Sequence, residues 1–254
     1  MFSYILKINS RESNYKVTTN PIQVSYNNTG NSSLIQKIVV KGASIPNVFY
    51  NITNSSNKLA FSTDLDIFYL TFPVGNYTIN SLMTYFNSSY QSGMSQVTLS
   101  FNTFLNKLEI NSPASTGVFI SSDSTMFHII GLKAGNDFAF INGLTTMLYM
   151  PDLSGIRNIY AETSFSNMNC LDSKGHKSYG AFIPVDQPFG SVIHYINQEQ
   201  DLNDIYRSKM YSQNLSTIEI GLRDVEGNLL DLQNMNWEIT FRVVTAHNHD
   251  LVDE

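Results

Sequence analysis

The sequence has 254 residues, 42% of them apolar and only 14% charged, with a formal net charge of −6. That length fits one large β domain, or one domain carrying an insertion, and is enough to bury a substantial core. The acidic balance, with 15 basic residues scattered along the chain, argues against nucleic acid as the main partner. No run reaches the ~18 consecutive apolar residues of a membrane span. The charged share lies below the usual quarter or so. Asn, Ser and Thr take its place, which reads either as a polar, weakly charged surface that is cheaper to desolvate against another protein than one rich in Lys and Glu, or as the codon bias of an AT-rich genome.

The opening Met1–Lys7 lacks the charged start and long apolar stretch of a signal peptide, and Cys170 is the only cysteine, which fits folding in a reducing compartment. In that setting the sequons at Asn27, Asn31, Asn51, Asn54, Asn76, Asn87 and Asn214 read as products of an Asn/Ser/Thr-rich chain. Residues Phe2–Ile8 form a first strand, followed by the charged turn Ser10-Arg11-Glu12 and a polar loop at Asn27–Ser33. Strands follow at Ile35–Ala43, Lys58–Ser62 and Ile67–Phe72. Apolar residues at 79, 82, 83, 86 and 90 then switch to helical spacing, with Asn76 or Thr78 as cap. A strand pair at Val97–Asn102 and Lys107–Ile110 comes next, then Gly117–Ser121. A short helix follows with Ser124 as N-cap and Gly131 as its stop.

Further strands are expected at Thr146–Met150, Asn158–Thr163, Gly180–Val185 and Ser191–Ile196, with a long Ser/Asn/Gly connection at 163–178. Pro46, Pro73, Pro151, Pro184 and Pro188 fall at or beyond the edges of these runs, where a missing amide donor does least harm. The clearest alternation is in Thr217–Arg223 and Trp237–Val243, which read as two consecutive antiparallel strands joined through the turn residues Asp224–Asn228. Many short strands at this spacing imply a sandwich or barrel. The helix-bearing segment 74–133 reads as a small α/β insertion in a β body made of 1–73 and 134–254, with 1–34 as a candidate N-terminal arm.

No constellation points to catalysis. His247 and His249 with Asp250 or Asp253 have metal-ligand spacing but sit at the acidic chain end, where a solvated tail is expected. His128 reads as a helix residue, His194 as an alternating strand residue, and His176 as a loop residue between Lys174 and Lys177. Cys170 has no local activating partner. The pairs Asp64/Asp66 and Asp201/Asp204 read as turn and loop aspartates, not as glycosidase carboxylates. Neither a Walker loop nor a dinucleotide fingerprint occurs, and no cofactor is expected.

The order of short elements has a more specific look. Asn9-Ser10-Arg11-Glu12 is followed by Asn20-Pro21-Ile22-Gln23-Val24, then by a strand ending in Ile45-Pro46-Asn47 and Tyr50-Asn51-Ile52, then by Gly75-Asn76-Tyr77-Thr78 before the helix. Leu153–Tyr160 introduces a later strand, and Asp224-x-x-Gly227 and Trp237 belong to the final pair. This order resembles the minor capsid or penton proteins of virophages, polinton-like viruses and related large DNA viruses. The resemblance implies an all-β, single jelly-roll sandwich carrying the 74–133 insertion. It implies a non-enzymatic structural protein, five copies of which close the fivefold vertices of an icosahedral shell. Its partners would be its own copies as a homopentamer, the major capsid protein, and other minor capsid or vertex proteins. Its location would be the virion, after synthesis in the host cytoplasm. Ser10, Arg11 and Glu12 are the residues expected to make an assembly contact, against the plainer reading of a charged turn. A carbohydrate- or receptor-binding sandwich displayed on a particle is the alternative, and a hydrolase the third.

Overall fold

Residue-level description from the computed structural model covers 2–13, 20–25, 34–62, 67–89, 97–112, 119–134, 138–139, 143–163, 179–197, 208–209 and 217–246. The chain divides into two units, Met1–Phe49 with Ile156–Glu254, and Tyr50–Gly155. In chain order the elements are β1 (Phe2–Asn9), β2 (Ile22–Ser25), β3 (Leu34–Pro46), β4 (Lys58–Ser62), β5 (Ile67–Thr71), α1 (Ile79–Ser88), β6 (Thr98–Asn102), β7 (Lys107–Ser112) and β8 (Phe119–Ile120). They continue with α2 (Phe127–Ile130), β9 (Phe138–Ala139), β10 (Gly143–Thr146), β11 (Asn158–Thr163), β12 (Tyr179–Pro184), β13 (Val192–Ile196), β14 (Ser208–Lys209), β15 (Thr217–Arg223) and β16 (Glu238–Ala246).

The first unit is a sandwich. One sheet runs β1-β16-β3-β13, with β14 also on β3, and the other runs β12-β11-β15-β2; every pairing is antiparallel. Period-two alternation sets the inner faces. Ile8, Ile45, Ile193, Ile239, Phe241 and Val243 come from the first sheet and Ile22, Ile159, Ala161, Ile183, Ile218, Ile220 and Leu222 from the second, and all fall in one buried cluster. The chain changes sheet between β1 and β2, β2 and β3, β12 and β13, β14 and β15, and β15 and β16, and the second unit separates β3 on one sheet from β11 on the other. That path is a jelly roll, so the architecture is all-β as the sequence pattern implied.

One expectation fails here. The strands at 217–223 and 238–246 are not paired neighbours: β15 lies between β11 and β2, while β16 lies between β1 and β3. The connection from 224 to 237 is long enough to cross the sandwich, and on its way it buries Leu230, Leu232 and Trp237 in the common core. Trp237 itself stands just before β16 and is 2% exposed.

The second unit occupies the whole link between β3 and β11 and is wider than the 74–133 segment expected from sequence. The reason is pairing. β4 binds β5 on one side and β8 on the other, so residues before 74 belong to the four-stranded sheet β5-β4-β8-β9. A three-stranded sheet, β10-β7-β6, and α1 complete it around a separate core that includes Phe61, Phe72, Leu82, Phe86, Leu99, Leu108 and Ile110. α1 starts at a capping box in which Thr78 and Ser81 bond reciprocally, and it buries Leu82 and Phe86 one turn apart. Ser124 does not cap α2. Its buried hydroxyl accepts from Ala60 N at 2.8 Å instead, replacing a strand partner for β4, and α2 is a single turn closed by Gly131 at φ +85°. A Cβ at Gly131 would lie 2.1 Å from Tyr149 O, so only glycine fits. The strand expected at 146–150 is also displaced: β10 ends at Thr146, and Leu148, Tyr149 and Met150 are exposed. No helix among the described residues is long and apolar enough to cross a membrane.

Candidate assembly surface

The charged turn after β1 separates into two kinds of residue. Ser10–Glu12 forms one turn of 3-10 helix capped by the Asn9 side chain, which accepts from Arg11 N at 3.0 Å. Ser10 is 4% exposed and faces inward. Its amide donates to Trp237 O at 2.9 Å, and its hydroxyl accepts from Trp237 N at 3.0 Å. Ser10 therefore fastens the end of β1 to the residue that enters β16. Arg11 and Glu12 are exposed.

The outward face of the β1-β16-β3-β13 sheet follows from its register. One row runs Lys7, Thr240, Gly42, Ile196, and the next runs Asn9, Glu238, Ser44, His194. The centre is polar: Lys7 pairs with Glu238 at 2.9 Å, and Ser44 Oγ lies 3.2 Å from His194 Nδ1. Val39 on β3 also belongs to this face but is buried; the strongly exposed apolar residues stand at its two borders, Ile5 (62% exposed) on β1 and Val192 (44%) and Ile196 (69%) on β13. Among the described residues no strand pairs with the outer edge of either β1 or β13.

The other sheet carries a different feature on its outward face. Arg223 donates from Nε to Glu162 Oε2 and from Nη1 to Gly227 O at 2.8 Å. With Pro21, Thr163, Glu219 and Gly221 this ion pair lines an open cavity of about 300 Å³. Sequence reading did not find this pair, because its members are 61 residues apart and meet only through the β11–β15 register.

Two of the expected chemistry-bearing residues fall among the described ones. His128 is exposed on α2 and His194 lies on the outward face of β13. Asp64, Asp66, Cys170, His176, Asp201, Asp204, His247, His249, Asp250 and Asp253 lie outside the described residues, as do the Asn27–Ser33 loop and most of the 163–178 connection. Among the described residues no group of three His, Cys, Asp or Glu side chains could hold a metal. Among the described residues the one perturbed titration is that of Tyr77, whose hydroxyl is pushed up by burial and then by the nearby Tyr85.

Asparagine proves to be an internal clamp. Asn51 is buried, donates from Nδ2 to Tyr77 O (2.8 Å) and Leu153 O (2.9 Å), and accepts from Tyr77 N (2.8 Å). Asn87 brackets Leu99 in the same way, accepting from its N–H at 2.8 Å and donating to its carbonyl at 2.9 Å. Asn20 accepts from Leu222 N and donates to Leu222 O and Leu230 O, each at 2.8 Å. The sequon amides of Asn51 and Asn87 are thus already committed inside the fold.

No family model matches the chain, and no curated protein matches it. Among solved structures, the mavirus penton protein superposes with a TM-score of 0.57 at 10% identity, covering 96% of this chain and 100% of that one. The chain has the fold of the mavirus penton protein. A chain in the cryo-EM structure of the Sputnik virophage is also similar, with a TM-score of 0.47, 9% identity, and coverage of 95% and 97%. The likeness to the mavirus penton protein is too extensive for the sandwich alone, since it takes in residues on both sides of the Phe49/Tyr50 and Gly155/Ile156 boundaries.

Proposed function

We propose that this chain is a structural capsid protein, the subunit of a fivefold vertex in an icosahedral virion. Five copies form a ring that meets the major capsid protein, and the protein acts without catalysis or cofactor. The observation that carries the reading is the match to the mavirus penton protein along nearly the whole length of both chains. Ring closure needs a heterologous contact, one side of the subunit against a different side of its neighbour. A sheet whose two border strands, β1 and β13, differ in sequence and direction supplies two such sides. Arg11 and Glu12, exposed at one end of β1, are assembly residues in this reading, and Ser10 is their anchor. Native mass spectrometry and negative-stain imaging of the purified protein, alone and with the major capsid protein, test it. Rings of five, or fivefold density on assembled particles, are expected. A protein that stays monomeric at high concentration and joins no particle would overturn it.

A second reading has one observation in its favour. The second unit exposes aromatics, Phe104 at 91%, Tyr149 at 58% and Tyr69 at 39%, which is the kind of surface a displayed glycan- or receptor-binding module needs. Binding on a glycan array that is lost in Phe104→Ala would favour it; an array without hits would end it.

A further inference from the structure

We infer that the ring closes edge to edge through the β1-β16-β3-β13 sheet, the β1 border of one copy meeting the β13 border of the next. This deepens the vertex reading and rests on it.

Three independent features converge on these borders. The first is apolar placement. Ile5, Val192 and Ile196 all project from the outward face of one sheet, but at its opposite borders, with Glu238, Thr240 and Arg242 of β16 and Gly42 and Ser44 of β3 between them. A partner lying flat on the face would cover that polar centre, whereas a neighbour at each border covers these exposed apolar residues and leaves the centre in water. The second is direction. The four strands alternate, so β1 and β13 run opposite ways. Copies related by rotation about an axis along the strands therefore present β1 antiparallel to the neighbour's β13, and open edges of that kind are templates for pairing. The sheet keeps its alternation from copy to copy.

The third is charge. At the β1 border Lys7 is already paired with Glu238, and Arg11 is the exposed cation in the turn just past the strand. In 185–197 the only charged side chain is Asp186, exposed in the turn that leads into β13. Arg11 and Asp186 stand at the same end of the sheet: Arg11 follows Asn9, whose row ends at β13, and Gln187 beside Asp186 accepts from Asn47 Nδ2 at 2.6 Å, just past the end of β3. The rotation that brings the borders together brings these two charges together. A heterologous contact built this way uses two different patches of one surface, which is the requirement for a closed ring.

The test uses the full chain with Cys170→Ser, carrying Ile5→Cys, Ile196→Cys or both, treated with a short bis-maleimide. The double variant is expected to give a covalent ladder ending at five, each single variant no covalent dimer, and a mixture of the two single variants a dimer and nothing larger. Charge reversal supplies the second arm. Arg11→Glu and Asp186→Arg each raise the concentration for half-assembly several-fold, and the two together restore it. If the unsubstituted protein forms fivefold rings but the double variant stays uncrosslinked, or a single variant crosslinks to itself, the edge assignment is wrong while the ring stands. If the unsubstituted protein forms no ring at all, the vertex reading falls and this inference falls with it.

Discussion

The two units satisfy their backbones by different means. In the sandwich the three strands β1, β16 and β3 are eight, nine and 13 residues long, and they bond one another along almost their full length. In the second unit strands are two to six residues long. There, side chains stand in for missing ladder partners: Asn51 for Tyr77 and Leu153, Asn87 for Leu99, and Ser124 for Ala60. A buried peptide group must find a partner, and a side-chain amide offers a donor and an acceptor in the same geometry. In the sandwich, asparagine side chains serve at strand ends and crossings, as at Asn20, Asn47 and Asn197. In the second unit, Asn51 and Asn87 are therefore structural, each holding backbone groups that no neighbouring strand reaches.

Four measurements press on this difference. The largest effect is expected in the sandwich core, where Trp237→Ala should cost about 3–5 kcal/mol in denaturant unfolding, because it removes the bulkiest side chain from a closed cluster. Next, in the second unit, Asn51→Ala should cost about 3 kcal/mol, since Tyr77 N–H and two carbonyls lose their partner while little apolar contact is removed. Trp237, the only tryptophan, reports on the first unit alone. Its emission midpoint should therefore move less in Asn51→Ala than the far-ultraviolet signal does; equal shifts would mean that the two units unfold as one.

Smaller still, Ser10→Ala should cost about 1–2 kcal/mol through the orphaned Trp237 amide, while Arg11→Ala should stay within about 0.5 kcal/mol. Chemical denaturation of the two variants side by side separates the anchor from the exposed charge. The smallest effect concerns Tyr77, whose hydroxyl donates to Pro73 O at 3.0 Å. Its raised pKa keeps it protonated in the fold while the unfolded chain ionises. Its contribution is therefore intact below the unfolded value and is lost as pH rises through the folded one. Tyr77→Phe should flatten the alkaline limb of a stability-versus-pH curve and leave its neutral part nearly unchanged.

The sequence made strands legible where alternation was strong and local. Lys58–Ser62 and Asn158–Thr163 form as read, and α1 lies where the spacing of Ile79, Leu82, Met83 and Phe86 places it. Partnership was not legible. β15 and β16 have the cleanest patterns in the chain, yet nothing in either tells which sheet it joins, because that is decided by β1, β2, β3 and β11 far away. The extent of the second unit was hidden for the same reason, since β4 looks like any other strand until β8 binds it. Leu148, Tyr149 and Met150 drew the tenth strand too far along the chain, because strand propensity does not distinguish a ladder from an exposed apolar segment. In the candidate surface, Arg11 and Glu12 were readable as a charged turn, whereas Ser10 was not readable as a buried fastener. Asp186 carried no local signal; its interest comes only from the sheet order.

That order also dictates when the sandwich can exist. β16 lies between β1 and β3, and Trp237 meets Ser10 across 227 residues of chain. A ribosome therefore releases β1 and β3 long before the strand that joins them, whereas every strand partner in 50–155 is made within that segment. The inserted unit can settle early, while the sandwich closes only as its final strand slots home. Until then two hydrophobic strands wait with open edges, a slow, long-range closure that favours aggregation. The β1 edge thus gains its partner within the described sheet only once β16 is made, whereas β13 can already lie on β3.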